Sequence, residues 1–311
     1  MPQRGSSANP HLDLMPSLSN YARCLRLPSL LVLVASSIWT LAAADSTAPI
    51  VPREMISLFN GRDLAGFYSW IPAFGRTDPD RVFTVVDQID GAPALRISGQ
   101  HFGGLLTHVR YADFRLVAEF RWGLLSWGKR RLRARDSGIL LHCEGEDGNA
   151  VKAAGTPFNS PWLRSVEYQI IEGGTGDIII VTGFDRNNPN LIAPRLTASV
   201  GPGGSRRWTP NGRPVEFDQG RIAWQHRDRA RKDEVGFRGA HDVEKPPGEW
   251  NRIEAVCSGG DLVCYLNGVQ VNEARNGTFR AGKILFQSEG AEIFFRRIEL
   301  HPLTDATTAA R

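Results

Sequence analysis

Two short stretches of the sequence carry ionisable groups at a spacing that suits a strand. Glu119 and Arg121, in Arg115-Leu116-Val117-Ala118-Glu119-Phe120-Arg121, alternate with Ala118 and Phe120. An extended chain therefore sends both to one face. Glu167 and Gln169 do the same in Glu167-Tyr168-Gln169-Ile170. A carboxylate beside a cation or an amide can hold a proton, release it and orient a hydroxyl. If the two strands are neighbours, the four side chains form a polar floor in one sheet. His142, at the end of Ser137-Gly138-Ile139-Leu140-Leu141-His142, and Gln287 would border it. The same alternation also marks the solvent face of an antiparallel sheet, and pattern alone leaves both readings open.

Fewer arguments attach to the other polar groups. His101 stands beside Gly103-Gly104, where a missing side chain lets backbone approach a ligand; it also reads as an ordinary loop histidine. Eight tryptophans are many. Trp122 and Trp162 are candidates to stack against a sugar ring near the floor, with packing in the core as the competing reading. Glu, Gln and His together offer hard or borderline ligands, so a divalent metal is one possible cofactor, with no ligand set assigned.

The elements that must position these groups are strands. Runs at 82–86, 94–98, 104–107, 115–122, 138–143, 166–171 and 178–182 are β-branched or apolar and are separated by turn residues. Ile253 to Val256 and Leu262 to Leu266 flank Ser258-Gly259-Gly260-Asp261, and Asn267-Gly268 turns the chain again. Residues 183–220 are rich in Gly and Pro and read as a long loop excursion. No helix-period pattern and no internal repeat interrupts the series. One all-β sandwich is predicted.

The order of these motifs is specific. Leu58-Phe59-Asn60-Gly61-Arg62-Asp63-Leu64, Glu167-Tyr168-Gln169-Ile170, Gly248-Glu249-Trp250-Asn251, Leu266-Asn267-Gly268 and Gly282-Lys283-Ile284-Leu285-Phe286-Gln287-Ser288-Glu289-Gly290 follow one another along the chain. Over residues 56–303 this resembles the 3-keto-disaccharide hydrolase (DUF1080) family. The resemblance implies a concanavalin A-like jelly roll of two antiparallel sheets, with a carbohydrate as substrate or bound glycan. Glu119, Arg121, Glu167 and Gln169 match the family's E-F-R and E-Y-Q-I motifs. His142 stands where an arginine is expected, which weakens its assignment.

The implied activity is elimination. A ketone at C3 acidifies the C2 proton of a glycoside; a base removes it, the enolate expels the C1 substituent, and water adds back. On the resemblance, Glu167 is the base, Arg121 stabilises the enolate, and Glu119 or His142 is the acid or an orienting partner. Gln169, Gln287, His101, Trp122 and Trp162 would bind substrate. The Glu-x-Asp-x-x-Glu signature of laminarinase-like jelly rolls is absent, so a retaining carboxylate pair on one strand is not supported. A non-catalytic carbohydrate-binding or wall-associated module of the same fold is the alternative.

Composition sets outer limits. The net charge of +4 falls to +2 without residues 1–44, which hold three arginines and one aspartate. That balance argues against nucleic acid as a partner. Arg23 and Arg26 precede an apolar run from Leu27 to Leu41, and Ala42-Ala43-Ala44 offers a cleavage site. Residues 1–44 are thus expected to be an export signal, with translation from Met15 as a variant and an uncleaved anchor as the alternative. The run is short for a membrane span. Residues 45–55 read as a linker, 56–303 as the domain and 304–311 as a frayed tail, in the periplasm or outside the cell. Cys257 and Cys264 would face each other if the hairpin turned on Gly260-Asp261, and would be offset if it turned on Gly259-Gly260.

Overall fold

A computed structural model describes residues 48–151 and 158–303. The expected export signal, with its alternative start, and the expected tail lie outside the described residues. The described chain folds into two large antiparallel sheets packed face to face. The first sheet runs, strand by neighbouring strand, Val269–Ala274, Asp261–Leu266, Asn251–Ser258, Phe114–Ser126, Ala291–Pro302, Ala92–Ile97 and Phe83–Ile89. The second runs Gly220–Ile222, Ile178–Val181, Arg164–Ile171, Asp136–Glu144, Ala281–Ser288, Gly103–Thr107 and Phe67–Trp70. Sequence neighbours cross between the sheets, in the manner of a jelly roll. Among the described residues the only helix is a single 3-10 turn, Gly128–Arg131, and none is long and apolar enough to cross a membrane.

Period-2 alternation builds the core between the sheets. Phe120, Phe295 and Ile293 from the first sheet meet Phe286, Ile139, Tyr168 and Ile170 from the second. Phe286 and Phe295 touch edge to face across the gap, 5.3 Å between centroids. The turn at Gly259-Gly260 takes φ of 57° and 98°, values glycine adopts without strain. It pairs Ser258 with Asp261 and Cys264 with Ala255, so Cys257 and Cys264 are offset. All three described cysteines are buried free thiols.

Two expectations need correction here. The stretch 183–220 is not one loop: it folds into two hairpins, Gly183–Asp185 with Asn188–Ile192 and Leu196–Val200 with Arg213–Phe217. Trp122 does not line a sugar site. It is 1% exposed in the core, and its Nε1 donates to Glu244 Oε1 at 2.7 Å. Glu244 is itself buried and lies 2.6 Å from Thr175 Oγ1; burial pushes its carboxyl up to about 8. Trp122→Phe keeps most of the ring packing but removes this donor. Stability is expected to fall by about 1–3 kcal/mol, read from the urea midpoint at constant slope.

Candidate functional site

The outer faces of the two sheets differ in kind. On the first, Glu119 accepts from Arg296 Nε at 2.6 Å and Arg297 Nη1 at 3.2 Å, and Arg121 donates to Asp90 at 2.7 Å. These are part-exposed ion pairs on a solvated face. The strand Arg164–Ile171 of the second sheet is instead buried at every position. Its inward residues Val166, Tyr168 and Ile170 fill the core, while Glu167 and Gln169, on the opposite face, are buried as well. A solvent face would not leave Glu167 4% exposed, since ionisable groups rarely become buried without a purpose or a partner.

The register gathers the site. Glu167 pairs across the ladder with Leu140 and Ile179, and Ile179 with Arg221, so Glu167 and Arg221 stand in one row on one face. Gln169 pairs with Gly138 in the next row. A cavity of about 250 Å³ opens over these rows, lined among others by Asp136, Trp162, Glu167, Gln169, Arg221, Gln287 and Glu289. Trp162 stacks on Phe102 at 6.3 Å to form a ring wall. An apolar patch, Leu106, Leu140 and Leu285 with Trp70, continues along the same face of the sheet. The cavity is below the usual range for drug-sized ligands, ~300–1,000 Å³, and suits one sugar ring.

Gly138 makes room for the side chains of Glu167 and Gln287. A Cβ there would stand 2.4 Å from Glu167 Oε1 and 2.8 Å from Gln287 Oε1, so both oxygens occupy the space above a bare backbone. Gly138→Ala meets only the ends of flexible side chains, and should fold. It is expected to cost about 10²-fold in kcat/KM by displacing both groups, since misplacement near 1 Å has that effect. Circular dichroism and turnover on one preparation separate the two outcomes.

Three buried oxygens in the cavity have no hydrogen-bond partner: Glu167 Oε1, Gln169 Oε1 and Gln287 Oε1. The Trp162 Nε1 donor is likewise unpartnered. Such groups are costly to leave unpaired and point to a ligand rich in hydroxyls. Burial, reinforced by the charge of Asp136, pushes the Glu167 carboxyl up to about 8, while Arg221 and Gln287 favour its anion. Asp136 is also raised well above the carboxylate range, by burial and by Glu289. Glu289 rises to about 7, chiefly through burial. Arg130 bridges the two, donating to Asp136 Oδ2 and to Glu289 Oε1 at 3.2 Å. Gln169 Nε2 donates to Asp136 Oδ1 at 2.7 Å. Three carboxyls share a desolvated cleft with two guanidiniums, and burial raises each of the three above its ordinary value.

Among the described residues no three of His, Cys, Asp and Glu converge at metal-holding spacing. The unpartnered oxygens belong to one carboxyl and two amides, and Arg221 already supplies positive charge beside them.

Glu167, Gln169, Gln287 and Trp162 therefore meet in one cavity. Glu119 and Arg121 do not, because their strand lies in the opposite sheet. His142 is also turned away. It takes φ 55° at a bulge where Cys143 and Leu140 oppose Lys283 and Leu285, and the extra residue reverses the alternation. Its ring packs on Phe114, with Nδ1 3.0 Å from Phe279 O, and burial lowers it to about 4. His101 pairs with Asp80 at 2.7 Å, its carbonyl accepts from Ser288 Oγ at 2.6 Å, and it is not among the residues lining the cavity. Sequence reasoning missed Asp136, Glu289, Arg221 and Arg130. Glu289 was accessible, two residues from Gln287 and hence on the same face.

A family model for the 3-keto-alpha-glucoside-1,2-lyase-like domain matches residues 54–301. No curated protein matches the chain. Among solved structures, a provisionally named glycosyl hydrolase from Parabacteroides distasonis is 17% identical, with a TM-score of 0.44, over 81% of this chain and 94% of its own. A second from the same organism is 19% identical, with a TM-score of 0.41, over 80% and 100%. The carbohydrate-binding module CBM66 from Bacillus subtilis is 10% identical, with a TM-score of 0.36, over 70% and 91%. On the family match, which spans nearly all of the described residues, the chain belongs to the 3-keto-disaccharide hydrolase family, that of the 3-keto-alpha-glucoside-1,2-lyase-like domain.

Proposed function

We propose that the protein cleaves 3-keto-glycosides by elimination followed by hydration. The observation that carries this reading is Glu167: a buried carboxyl, raised to about 8, with an unpartnered oxygen in a sugar-sized cavity beside Arg221. In its anionic form Glu167 removes the proton at C2. Arg221 faces the enolate oxygen that develops at C3, the role Arg121 cannot reach. The C1–O bond breaks, and the leaving oxygen takes a proton from the Asp136–Glu289 pair, in place of Glu119 or His142. Water then adds at C1 and a proton returns to C2, which gives net hydrolysis. Gln169, Gln287 and Trp162 orient the ring.

Turnover of a panel of 3-keto-glycosides and their unoxidised parents tests it. Aglycone release from the keto sugars alone is expected, unaffected by chelator. Saturable binding of glycans with no turnover of any keto sugar would instead support a binding module. Export belongs to the same proposal and rests on the charge and apolar pattern of residues 23–44. N-terminal sequencing of the protein recovered from outside the cytoplasm is expected to begin at Asp45.

A further inference from the structure

Arg221 has a second side. Beyond the sugar-sized cavity it helps line a groove of about 530 Å³ together with Arg206, Arg207, Arg227 and Arg229. No carboxylate is among the lining residues of that groove. Asp177, fully buried, serves two of the guanidiniums at once, Arg221 Nη1 at 2.6 Å and Arg227 Nε at 3.4 Å. The others are held by backbone. Arg206 Nε donates to Arg221 O at 3.1 Å and its guanidinium lies 4.7 Å from the centre of the Phe217 ring. Arg207 Nη1 donates to the carbonyls of Gln225, at 3.2 Å, and of Arg227. Among the described residues no carboxylate stands within ion-pair distance of Arg206, Arg207 or Arg229. The Asp228 carboxylate accepts from Ala230 N at 2.8 Å.

Carbonyls fix a guanidinium without neutralising it. The result is a fixed cluster of positive charge with planar donors, the geometry that suits carboxylates and sulfate esters. Burial, followed by the neighbouring guanidinium of Arg229, lowers Arg207 against the pull of Asp177 and Asp228. Arg227 is lowered by burial and by Arg221, Arg231 and Arg207 against the pull of Asp177. An incoming anion relieves that mutual repulsion. Arg221 lines both spaces, so the groove and the cavity meet at its side chain.

The geometry points to an acidic-sugar subsite: the groove binds a carboxylate or sulfate carried by the sugar next to the ring held over Glu167. This deepens the 3-keto-glycoside reading and rests on it for the identity of the first ring. The substrate is then an acidic disaccharide or oligosaccharide end, with its charge on the side of Arg206, Arg207 and Arg229.

Calorimetric titration of the full chain carrying Glu167→Gln tests this without turnover. The probes are 3-keto disaccharides whose second ring is glucose, glucuronic acid or glucose 6-sulfate, and their unoxidised parents. The acidic probes are expected to bind about tenfold or more tighter than the neutral one at low salt, as a hydrogen-bonded charge pair allows. The preference should shrink at high salt and largely disappear in Arg206→Ala and in Arg229→Ala, both at exposed positions where refolding is not at issue. Preference for one acidic probe over the other identifies carboxylate or sulfate as the source of the charge. Equal binding of neutral and acidic probes would overturn the inference. So would a preference unchanged in both arginine variants, or capture of nucleic acid with no discrimination among disaccharides. If acidic parents bind with the same preference but the unsubstituted protein cleaves no keto sugar, the groove stands and the catalytic reading falls.

Discussion

Glu167→Gln is expected to lower kcat/KM on 3-keto-glycosides by about 10²–10⁴-fold, the range for losing a general base. KM should change little, because the amide keeps the shape and one acceptor oxygen. Glu167 must be ionised to act, and its carboxyl is raised to about 8 by burial and Asp136. In the parent, the ascending limb of kcat/KM against pH should belong to Glu167 and the descending limb to the Asp136–Glu289 donor, and the ascending limb should be missing from any residual activity of the variant. The same shift has a stability consequence of definite sign. The folded value lies above the ordinary 4.5, so between these values the native protein keeps a proton that the unfolded chain releases. That contribution is complete below pH 4.5 and is lost as pH rises to about 8. Glu167→Gln, with nothing to ionise, removes this decline and should be at least as stable as the parent at alkaline pH. A variant that is inactive and also unfolded would leave no case for a base at this position.

The second large effect separates two arginines. Arg221→Met is expected to lower kcat by about 10²–10³-fold, the usual loss when one charge-stabilising donor is removed. Arg221 also pairs with buried Asp177, which keeps Arg227 and the Trp224 amide as partners. The methionine variant should thus lose some thermal stability, and Arg221→Lys, which keeps the charge, serves as the folded control. The lysine loses the planar fork and is expected to recover only part of the rate. Arg121→Ala and Glu119→Ala, on the far sheet, should leave kcat/KM within the scatter of the assay. Inactivity of Arg121→Ala together with an active Arg221→Met would reverse the assignment and return the site to the motif reading.

These two arginines also show what the sequence could and could not reveal. Alternation tells which residues of one strand share a face, and it grouped Glu119 with Arg121 and Glu167 with Gln169 correctly. It does not tell which sheet a strand joins. The strand with Glu119 pairs with Asn251–Ser258 and Ala291–Pro302, the one with Glu167 with Asp136–Glu144 and Ile178–Val181, and no local signal distinguishes these choices. Strand existence and a hairpin within Ser258-Gly259-Gly260-Asp261 were legible because turn residues and β-branched runs act locally, while the choice between its two possible turns was left to the structure. His142 was misplaced because a bulge shifts parity by one residue, and nothing around it announces a bulge. Arg221 was hidden for another reason. It sits on a three-residue edge strand at the end of a stretch whose glycines and prolines read as loop. Trp122 was ambiguous until its partner Glu244, far along the chain, was seen to claim its donor.

The central claim is that C–H cleavage at C2 precedes loss of the aglycone. Turnover of a 3-keto-glycoside in D2O, with mass analysis of the released 3-keto sugar, tests it most directly when the free sugar incubated alone serves as the exchange control. Elimination breaks the C2–H bond, the proton on Glu167 exchanges with solvent before rehydration, and C2 is then reprotonated, so deuterium at C2 is expected in the product above the control. Aglycone release at full rate with no deuterium at C2 beyond the control would mean direct displacement at C1, and would contradict the role given to Glu167.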